Sequence, residues 1–372
     1  MTDTRRLLTI LDQFSSKKIM VLGDLIADEY VFTNCSRISR EAPVLILRYE
    51  SRKVILGGGA NATHNVSTLG AEVWPVGVVG KDEMGECVLD LMREKGISTG
   101  LIHMVKGVHT TTKTRVLAGS HHTTKQQVVR IDREPDGRAH GEVEEFVIHS
   151  LENNIDRVDA LLVSDYGLGI CTAKVREKIS QLAEQTSKII TVDSRYEILS
   201  YRGVTALTPN EPEIEGALHV QLNSEADLEA CGQSALRKTG CQNILITRGK
   251  KGMFLLERSG DSCFIPIYGK DEVADVTGAG DTVISTFTLA LTAGATRIEA
   301  ARLANYAGGI VVMKVGTAPI YWKELQEAVR GEETFEEADR ADGEKDDAVG
   351  ESVEVAKGAE HAVKEVKGGA GS

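Results

Sequence analysis

The sequence predicts an α/β fold in which a mostly parallel central sheet is covered by helices on both faces. Short apolar runs rich in β-branched residues alternate with stretches whose apolar residues recur at helical spacing. Strand and helix in succession imply crossover connections, which make successive strands parallel. Two other segments alternate apolar and polar residues, which predicts a small antiparallel β lid outside the main sheet.

The buried strands of the main sheet are predicted from six apolar runs. They cover residues 17–24, 72–80, 159–167, 188–194, 204–210 and 243–249. In sheets of this kind ligands bind beyond the carboxyl ends of the strands. Polar and glycine residues that end a predicted strand are therefore candidates for a ligand site, and these are Asp24, Asp165, Asn210 and Gly249.

The lid is predicted over residues 30–55 and 105–133, which are the basic part of the body. Between Gly100 and Arg133 the only acid is Asp132, against six basic residues: Lys106, Lys113, Arg115, Lys125, Arg130 and Arg133. A positive face suits a lid over a negatively charged ligand. Its exposed edges and apolar face favour pairing with a second subunit, so a homodimer is expected. An edge hairpin with solvated Lys and Arg explains the same residues equally well.

The composition limits the classes of protein that fit. The chain has 372 residues, 41% of them hydrophobic, which is enough for a large α/β domain with appendages. No apolar run approaches the roughly 20 residues of a membrane span, and the first 14 residues are too polar for a signal peptide. Six cysteines without C-x-x-C spacing favour a reduced, cytoplasmic protein. The body lacks the basic excess that nucleic-acid binding requires.

One domain is expected over residues 1–330, followed by an acidic tail over 331–372. The tail contains 13 acidic and five basic residues, so it accounts for −8 of the net charge of −12. It is nearly free of large apolar residues, and burial cannot offset the entropy of ordering it. We therefore predict a disordered tail, which is either a docking or solubilising segment or a plain solvated extension.

The segment DVTGAGDTV, residues 275–283, leads into a predicted helix. Gly278, Ala279 and Gly280 have almost no side chain, so they expose backbone N–H groups at the positive end of the helix dipole and form an anion site. A carboxylate beside a bound anion, here Asp281, is suited to removing a proton. The alternative is a tight helix entry with Asp at a capping position.

A glycine-rich segment and a strand end offer contacts for a hydroxylated ligand. In GGGANATHNVSTLGA, residues 57–71, glycines such as Gly58 let the backbone approach a ligand, and Asn61 offers a donor and an acceptor. Asp24 can accept hydrogen bonds from two adjacent sugar hydroxyls. A simple glycine turn and a simple cap explain the same residues.

Two more segments suit a nucleotide. In TPNEPE, Asn210 and Glu213 lie three residues apart at a helix start, where they suit a hydrated Mg²⁺ ion or simply cap the helix. Residues 305–318 begin with Asn305 and are rich in small residues, against which a flat base can lie.

These segments occur in the order and spacing of the ribokinase-like, or phosphofructokinase-B, carbohydrate kinases. The chain resembles that family over about residues 17–329, and it most resembles the D-glycero-D-manno-heptose 7-phosphate kinases within it. The closer resemblance rests on GDLIADEYVFTNCSRISREAPVLIL, TTTKTRVLAG, LLVSDYGLG and ALTPNEPE. Two positions depart from the group: Arg40 replaces a proline, and Leu168 and Gly169 leave no lysine in the usual S-D-Y-x-K-G.

The resemblance implies a ribokinase-like three-layer sandwich that uses ATP and Mg²⁺. It implies that Asp281 is the catalytic base and that the amides of Gly278, Ala279 and Gly280 stabilise the transferring phosphoryl group. Asp275 is expected to lie near a monovalent cation such as K⁺.

The resemblance also implies the remaining contacts. Asn210 and Glu213 would serve the Mg²⁺–phosphate region, with Glu213 acting through water. The other expected contacts are Thr247, Gly249 and Asn305 for the nucleotide, and Asp24, Gly58, Asn61, Lys113, Arg115 and Asp165 for the sugar. No Walker-type motif is present, so a P-loop is excluded.

The expected activity is ATP-dependent phosphorylation of the heptose 7-phosphate at C1, giving the 1,7-bisphosphate. Only the acidic tail follows the kinase segment, so we expect this step alone. Another kinase of the family acting on a different sugar or sugar phosphate is the open alternative. A non-catalytic sensor would have lost the base or the anion loop, and an oxidoreductase would need the G-x-G-x-x-G that VLGDLIADEY lacks.

Overall fold

A computed structural model describes residues 3–119, 125–135, 140–269, 274–314 and 316–331. Apart from Gly331, the predicted acidic tail lies outside the described residues.

The described residues form two sheets and a set of helices. The strands are β1 (Lys18–Gly23), β2 (Leu25–Ile38), β3 (Leu45–Gly58), β4 (Glu72–Gly80), β5 (Ile102–Val105), β6 (Thr112–Gly119), β7 (Gln126–Arg133), β8 (Ala160–Asp165), β9 (Ile189–Ser194), β10 (Ala206–Leu207), β11 (Asn243–Thr247), β12 (Met253–Glu257) and β13 (Ser262–Ile265). The helices are α1 (Thr4–Asp12), α2 (Gly59–Thr68), α3 (Glu83–Glu94), α4 (His140–Asn154), α5 (Ala173–Gln185), α6 (Glu211–Leu218), α7 (Glu225–Thr239), α8 (Ala279–Thr292) and α9 (Arg297–Val311). A further helical stretch covers residues 322–331.

The large sheet has the strand order β13-β12-β11-β10-β9-β8-β1-β4-β5. Neighbours from β5 through β11 pair in parallel, and only β12 and β13 at one edge run antiparallel. The predicted mostly parallel sheet is confirmed, and each of the six predicted strands is present. The predicted strand at 204–210 is present as Ala206–Leu207 with an isolated bridge from Asn210 to Thr247, and Asn210 also caps the next helix.

Helices pack on both faces of this sheet and form two separate cores. One core joins the sheet to α1, α2, α3, α8 and α9, with Phe287 of α8 among its fully buried side chains. The other core joins the sheet to α4, α5, α6 and α7. Apolar residues at helical spacing face the sheet on each side, which produces a three-layer sandwich.

The lid is a four-stranded sheet with the order β3-β2-β6-β7. The predicted antiparallel pairing is confirmed for β2 with β3 and for β6 with β7, whereas β2 and β6 run parallel. The lid extends closer to the main sheet than predicted, since β2 begins at Leu25, directly beyond the last strand residues of β1. The lid is therefore continuous with the carboxyl end of β1.

Two glycines bring α2 against the end of β1. A Cβ atom on Gly59 would lie only 2.8 Å from the Cα of Gly23, so neither position has room for a side chain. The close approach lets the N–H of Gly59 donate to the carbonyl oxygen of Asp24 at 2.9 Å. It places the first turn of α2, including Asn61, at the carboxyl edge of the sheet.

Among the described residues, none of the helices is both long and apolar enough to cross a bilayer.

We expect Gly59→Ala to lower the free energy of unfolding by about 1–3 kcal/mol, because the added methyl group overpacks this contact. Urea unfolding measures the change. Gly216→Ala is the matched control, since Gly216 lies within α6 with open space where its Cβ would be. The control should be neutral or slightly stabilising. Equal destabilisation of both variants would contradict the role given to the contact.

Candidate active site

Asp281 lies in the first turn of α8 and is 1% exposed. Its carboxylate accepts a hydrogen bond from Asn61 Nδ2 at 2.9 Å. The hydroxyl of Tyr166 lies 3.2 Å from both carboxylate oxygens, and Ser164 Oγ is 3.4 Å from Oδ1. Donors from α2, β8 and the loop after β8 therefore converge on one buried acid.

Burial raises the pKa of Asp281 to about 7, while hydrogen bonds from Asn61 and Tyr166 oppose the rise. The negative charge of Asp28 acts in the same direction as burial, and the positive charge of Lys113 opposes it. A carboxylate with this pKa is half ionised near neutrality, which suits a general base. The side chain predicted to remove a proton thus lies in surroundings that favour that task.

The loop before α8 has the conformation that only glycine readily adopts. Gly278 has φ 81°, and a Cβ there would lie 2.7 Å from Asn61 Nδ2. The N–H groups in the first turn of a helix have no acceptor within the helix, and Gly278 and Gly280 both line a cavity of about 340 Å³. The N–H of Ala279 donates to the carbonyl of Val276 at 3.2 Å, so this amide, predicted to bind the anion, already has a partner.

The same cavity is also lined by carboxylates. Asp193 and Glu213 both line it, and burial together with their mutual repulsion raises the pKa of Asp193 well above its ordinary value. Burial likewise raises the pKa of Glu213. The guanidinium of Arg195 also lines the cavity and opposes both shifts.

Asn210 and Glu213 form the helix cap that was the structural alternative. Glu213 N–H donates to Asn210 Oδ1 at 2.8 Å, and Asn210 N–H donates to Glu213 Oε2 at 2.9 Å. Because both residues also line the cavity, the cap holds them there, and the two interpretations are compatible.

A neighbouring cavity of about 260 Å³ is lined almost wholly by apolar and glycine residues. Thr247 and Gly249 line it, as predicted for a nucleotide site, and Gly308 and Gly309 of α9 lie on its far side. Asn305 of α9, also predicted to contact the nucleotide, is buried and donates to the carbonyl of Pro266 at 2.8 Å. Its amide supports the chain beside this cavity.

The lid contributes a buried carboxylate that the sequence analysis missed. Asp28 of β2 is 4% exposed, forms an ion pair with Arg115, and accepts a hydrogen bond from Thr317 Oγ1 at 3.0 Å. A Cβ on Gly57 would lie 2.4 Å from its Oδ2, so that glycine makes room for Asp28. The charges of Asp28 and Lys113, both on lid strands, act on the pKa of Asp281 in opposite directions, so the lid lies close enough to influence that carboxyl group.

The carboxylates of Asp24 and Asp165 are both occupied by hydrogen bonds from other groups of the protein. Asp24 accepts hydrogen bonds from the N–H groups of Tyr166, Leu168 and Ile170 at 2.9–3.3 Å. Asp165 accepts hydrogen bonds from Gly167 N–H, Ser194 Oγ and Tyr201 Oη. Sugar binding by either residue stays a prediction, and the contacts found here make both of them anchors of the loop after β8.

Two other predicted residues are placed as follows. Gly58 has φ 54° and is the cap residue of α2, where a Cβ would lie 2.8 Å from the carbonyl oxygen of Asp24. Asp275 accepts hydrogen bonds from Thr277 N–H and Oγ1 and from Gly316 N–H. Although burial opposes them, these bonds hold the pKa of Asp275 below its ordinary value.

The residues that the sequence analysis missed had weak signals. Asp28 is the second carboxylate in GDLIADEY, four residues after Asp24, and the boundary predicted for the lid at 30 excluded it. Asp193 lies at the end of the predicted strand 188–194, a position that by itself marks a candidate ligand. Tyr166 follows Asp165 directly, but nothing in a single sequence pairs it with Asp281.

The model of the pfkB family of carbohydrate kinases matches residues 16–324. The bifunctional protein HldE of Trichlorobacter lovleyi is 37% identical over 328 residues, covering 88% of this chain and 66% of its own length. HldE of Desulfatibacillum aliphaticivorans is 38% identical over 314 residues, covering 84% of this chain and 63% of its own length. The chain therefore spans slightly less than two thirds of these curated relatives.

Solved structures show the same fold at low identity. A ribokinase of Arabidopsis thaliana, complexed with ribose and ATP, superposes with a TM-score of 0.66 at 18% identity, covering 84% of this chain and 98% of its own. Phosphofructokinase-2 of Escherichia coli in complex with potassium gives a TM-score of 0.63 at 17% identity, again covering 84% and 98%. The predicted ribokinase-like fold is confirmed.

We expect the Asp281 carboxyl of the free protein to titrate with a midpoint of about 7, because burial disfavours its charged form. Carbon-13 NMR of protein labelled at Asp carboxyl groups measures the midpoint, and the Asp281→Asn variant identifies the resonance. A midpoint near the ordinary value of 3.8 would contradict the burial that the structure gives this side chain.

Proposed function

The chain belongs to the pfkB family of carbohydrate kinases, and on this premise we propose that it transfers the γ-phosphoryl group of ATP to C1 of D-glycero-D-manno-heptose 7-phosphate. The observation that carries the proposal is the buried Asp281, held beside the glycine loop and the cavity at the start of α8. The HldE relatives support the heptose phosphate as substrate.

The reaction needs one proton acceptor and a place for negative charge. The C1 hydroxyl gives its proton to Asp281 as its oxygen bonds to the γ-phosphorus, and the bond from that phosphorus to the β,γ-bridging oxygen breaks to release ADP. Amides at the start of α8, among them those of Gly278 and Gly280, stabilise the charge on the phosphoryl oxygens.

Magnesium fits the carboxylate side of the cavity. Asp193 and Glu213 are half-buried carboxylates that line the cavity, and burial raises the pKa of each, so they are a donor pair that a divalent cation satisfies. Within the described ranges, no cluster of three or more His, Cys, Asp or Glu side chains is arranged to hold a metal. Bound there, Mg²⁺ would neutralise phosphate charge. Asp193 and Glu213 are the side chains that would hold it.

Basic residues of the lid favour a phosphorylated sugar as the substrate. Lys113 is half-buried, and burial lowers the pKa of its ammonium group. Arg115 is already paired with Asp28. In this proposal Asp28 accepts hydrogen bonds from sugar hydroxyls, and Lys113 attracts the anionic substrate. Arg40 and the missing lysine of S-D-Y-x-K-G leave a different sugar phosphate as the alternative acceptor, and a panel of acceptors distinguishes the two.

A monovalent cation near Asp275 is a further part of the proposal. Asp275 stays ionised beside the backbone of Gly316, and the related E. coli phosphofructokinase-2 was solved with potassium. Assays in potassium against sodium test this part: equal rates would remove it.

We also propose a reduced, cytoplasmic location and a homodimer formed through the lid. Each of the six cysteines is a free thiol. The lid exposes apolar side chains that a monomer would leave in water, namely Ile38, Val44, Leu45, Tyr49, Val128, Val129 and Ile131. A second copy of the lid would cover them.

Transfer of radiolabelled phosphate from ATP to a panel of sugars and sugar phosphates tests the activity. The heptose 7-phosphate should be the best acceptor, and Asp281→Asn should lower kcat by roughly 10²–10⁴-fold, because an amide cannot accept the proton. Asp90→Asn, which removes an exposed acid of α3, is the matched control and should keep the parental rate. Transfer to another acceptor alone would reject the substrate, and an active Asp281→Asn would reject the mechanism.

For the dimer, sedimentation of the full chain should give twice the mass of one chain. Replacing Val129 and Ile131 of β7 by Asp should produce monomers, because charge on the covered face is costly to bury. Val220→Asp, an equally exposed valine after α6, should leave the dimer intact. A monomeric parent protein would remove the lid interface.

A further inference from the structure

Tyr166 lies between the lid and Asp281. Its hydroxyl is 3.2 Å from each oxygen of the Asp281 carboxylate, and the Nζ of Lys113 lies 5.0 Å from the centroid of its ring. A hydroxyl has a single proton, so it donates to one oxygen at a time and is equally placed for either. The side chain is half-buried, and it reaches the acid from the loop after β8.

That loop is held by two buried acids. Asp24 accepts hydrogen bonds from the backbone N–H groups of Tyr166 at 2.9 Å, Leu168 at 3.2 Å and Ile170 at 3.3 Å. One carboxylate oxygen of Asp165 accepts a hydrogen bond from Gly167 N–H at 3.0 Å, and the other accepts hydrogen bonds from the hydroxyls of Ser194 and Tyr201. Alternate residues of the loop are therefore fixed to β1 and to the end of β8, which leaves the Tyr166 backbone little freedom.

We propose that Tyr166 is a positioning residue for Asp281, and that the Asp24-anchored loop holds its hydroxyl against the carboxylate. The inference rests on the proposed role of Asp281 as the base. Asn61 fixes Oδ2 from α2 at 2.9 Å, and Tyr166 adds a donor from a different direction. Two donors from two elements hold the plane of the carboxylate, so that an oxygen is directed at the acceptor hydroxyl.

A hydrogen bond to the charged form of a carboxylate also lowers its pKa, which gives Tyr166 a second effect. The other groups that face Asp281 are Asn61 and Ser164, which are neutral, Asp28 and Asp193, which are acidic, and Lys113, which is basic. None of these changes when the phenol is replaced by a phenyl ring. A shift in the titration of Asp281 then reports the lost hydroxyl.

The test is Tyr166→Phe, which keeps the ring beside Lys113 and removes only the hydroxyl. In the free protein, carbon-13 NMR should find the Asp281 midpoint raised by about half to one pH unit from the parental value. In turnover, kcat at pH 7 should fall roughly tenfold with little change in the KM of the sugar, and the acidic limb of the rate profile should move to higher pH. Tyr321→Phe, an exposed tyrosine near the C-terminal helical stretch, is the control and should change neither quantity.

A second variant, Asp24→Asn, loosens the loop by removing one acceptor oxygen. It should lower kcat in the parental chain but have little further effect in Tyr166→Phe, because both act through the same hydroxyl. If the two substitutions together lower kcat by the product of their separate effects, the role given to the loop is wrong. An unchanged Asp281 midpoint and an unchanged kcat in Tyr166→Phe would overturn the role of the tyrosine.

The NMR titration keeps this inference separate from the proposed activity. If the parental protein transfers nothing to the heptose phosphate, the substrate is wrong, but the free-protein midpoint still decides whether Tyr166 acts on Asp281. If transfer occurs and the midpoint does not move, only the inference about Tyr166 fails.

Discussion

The hydrogen bond from Asn61 to Asp281 is the contact on which the site depends. It joins the first turns of α2 and α8, two helices that enter the core from distant parts of the chain. A buried carboxylate without donors would cost several kcal/mol, so the fold must bring polar groups to it. The absence of a side chain at Gly278 follows from this contact, because a Cβ there would collide with the Asn61 amide. The close contact of Gly23 with Gly59 is part of the same requirement, since it seats α2 at the sheet edge.

The acids of the site divide into two groups according to their surroundings. Asp28 has Arg115 as a counter-ion, and Asp275 has three hydrogen-bond donors, so both carboxylates are compensated within the chain. Asp281, Asp193 and Glu213 have raised pKa values, because desolvation outweighs the hydrogen bonds and the positive charge that act on them. Asp193 and Glu213 line the cavity at the start of α8, and Asp281 follows Gly280, which also lines it. Burial raises the pKa of Asp24 as well, although Asp24 holds the loop after β8. Environment thus gives chemically identical groups different proton affinities.

Local sequence signals predicted elements better than they predicted partners. The strand ends, the glycine loop before α8 and the cap formed by Asn210 and Glu213 were all visible in short segments. Asp24 was predicted as a ligand for a sugar because it ends a strand, and its carboxylate accepts hydrogen bonds from the loop after β8, a contact that the strand end did not indicate. Asn305 was predicted to contact a nucleotide from its place in a run of small residues, and that run did not indicate the hydrogen bond that its amide donates to Pro266. A strand end indicates which edge of the sheet a residue occupies and does not indicate what its side chain touches.

The sequence by itself determined the α/β class, the order of the buried strands along the chain, and the glycine loop before α8 with the acid that follows it. These follow from periodicity and from glycine positions, which act over a few residues. Only the tertiary structure decided which carboxylates meet and which donors hold them. Asn61 and Asp281 are 220 residues apart, and Tyr166 and Asp281 are 115 apart. Contacts over such separations depend on how helices pack across the sheet, and no local pattern encodes them.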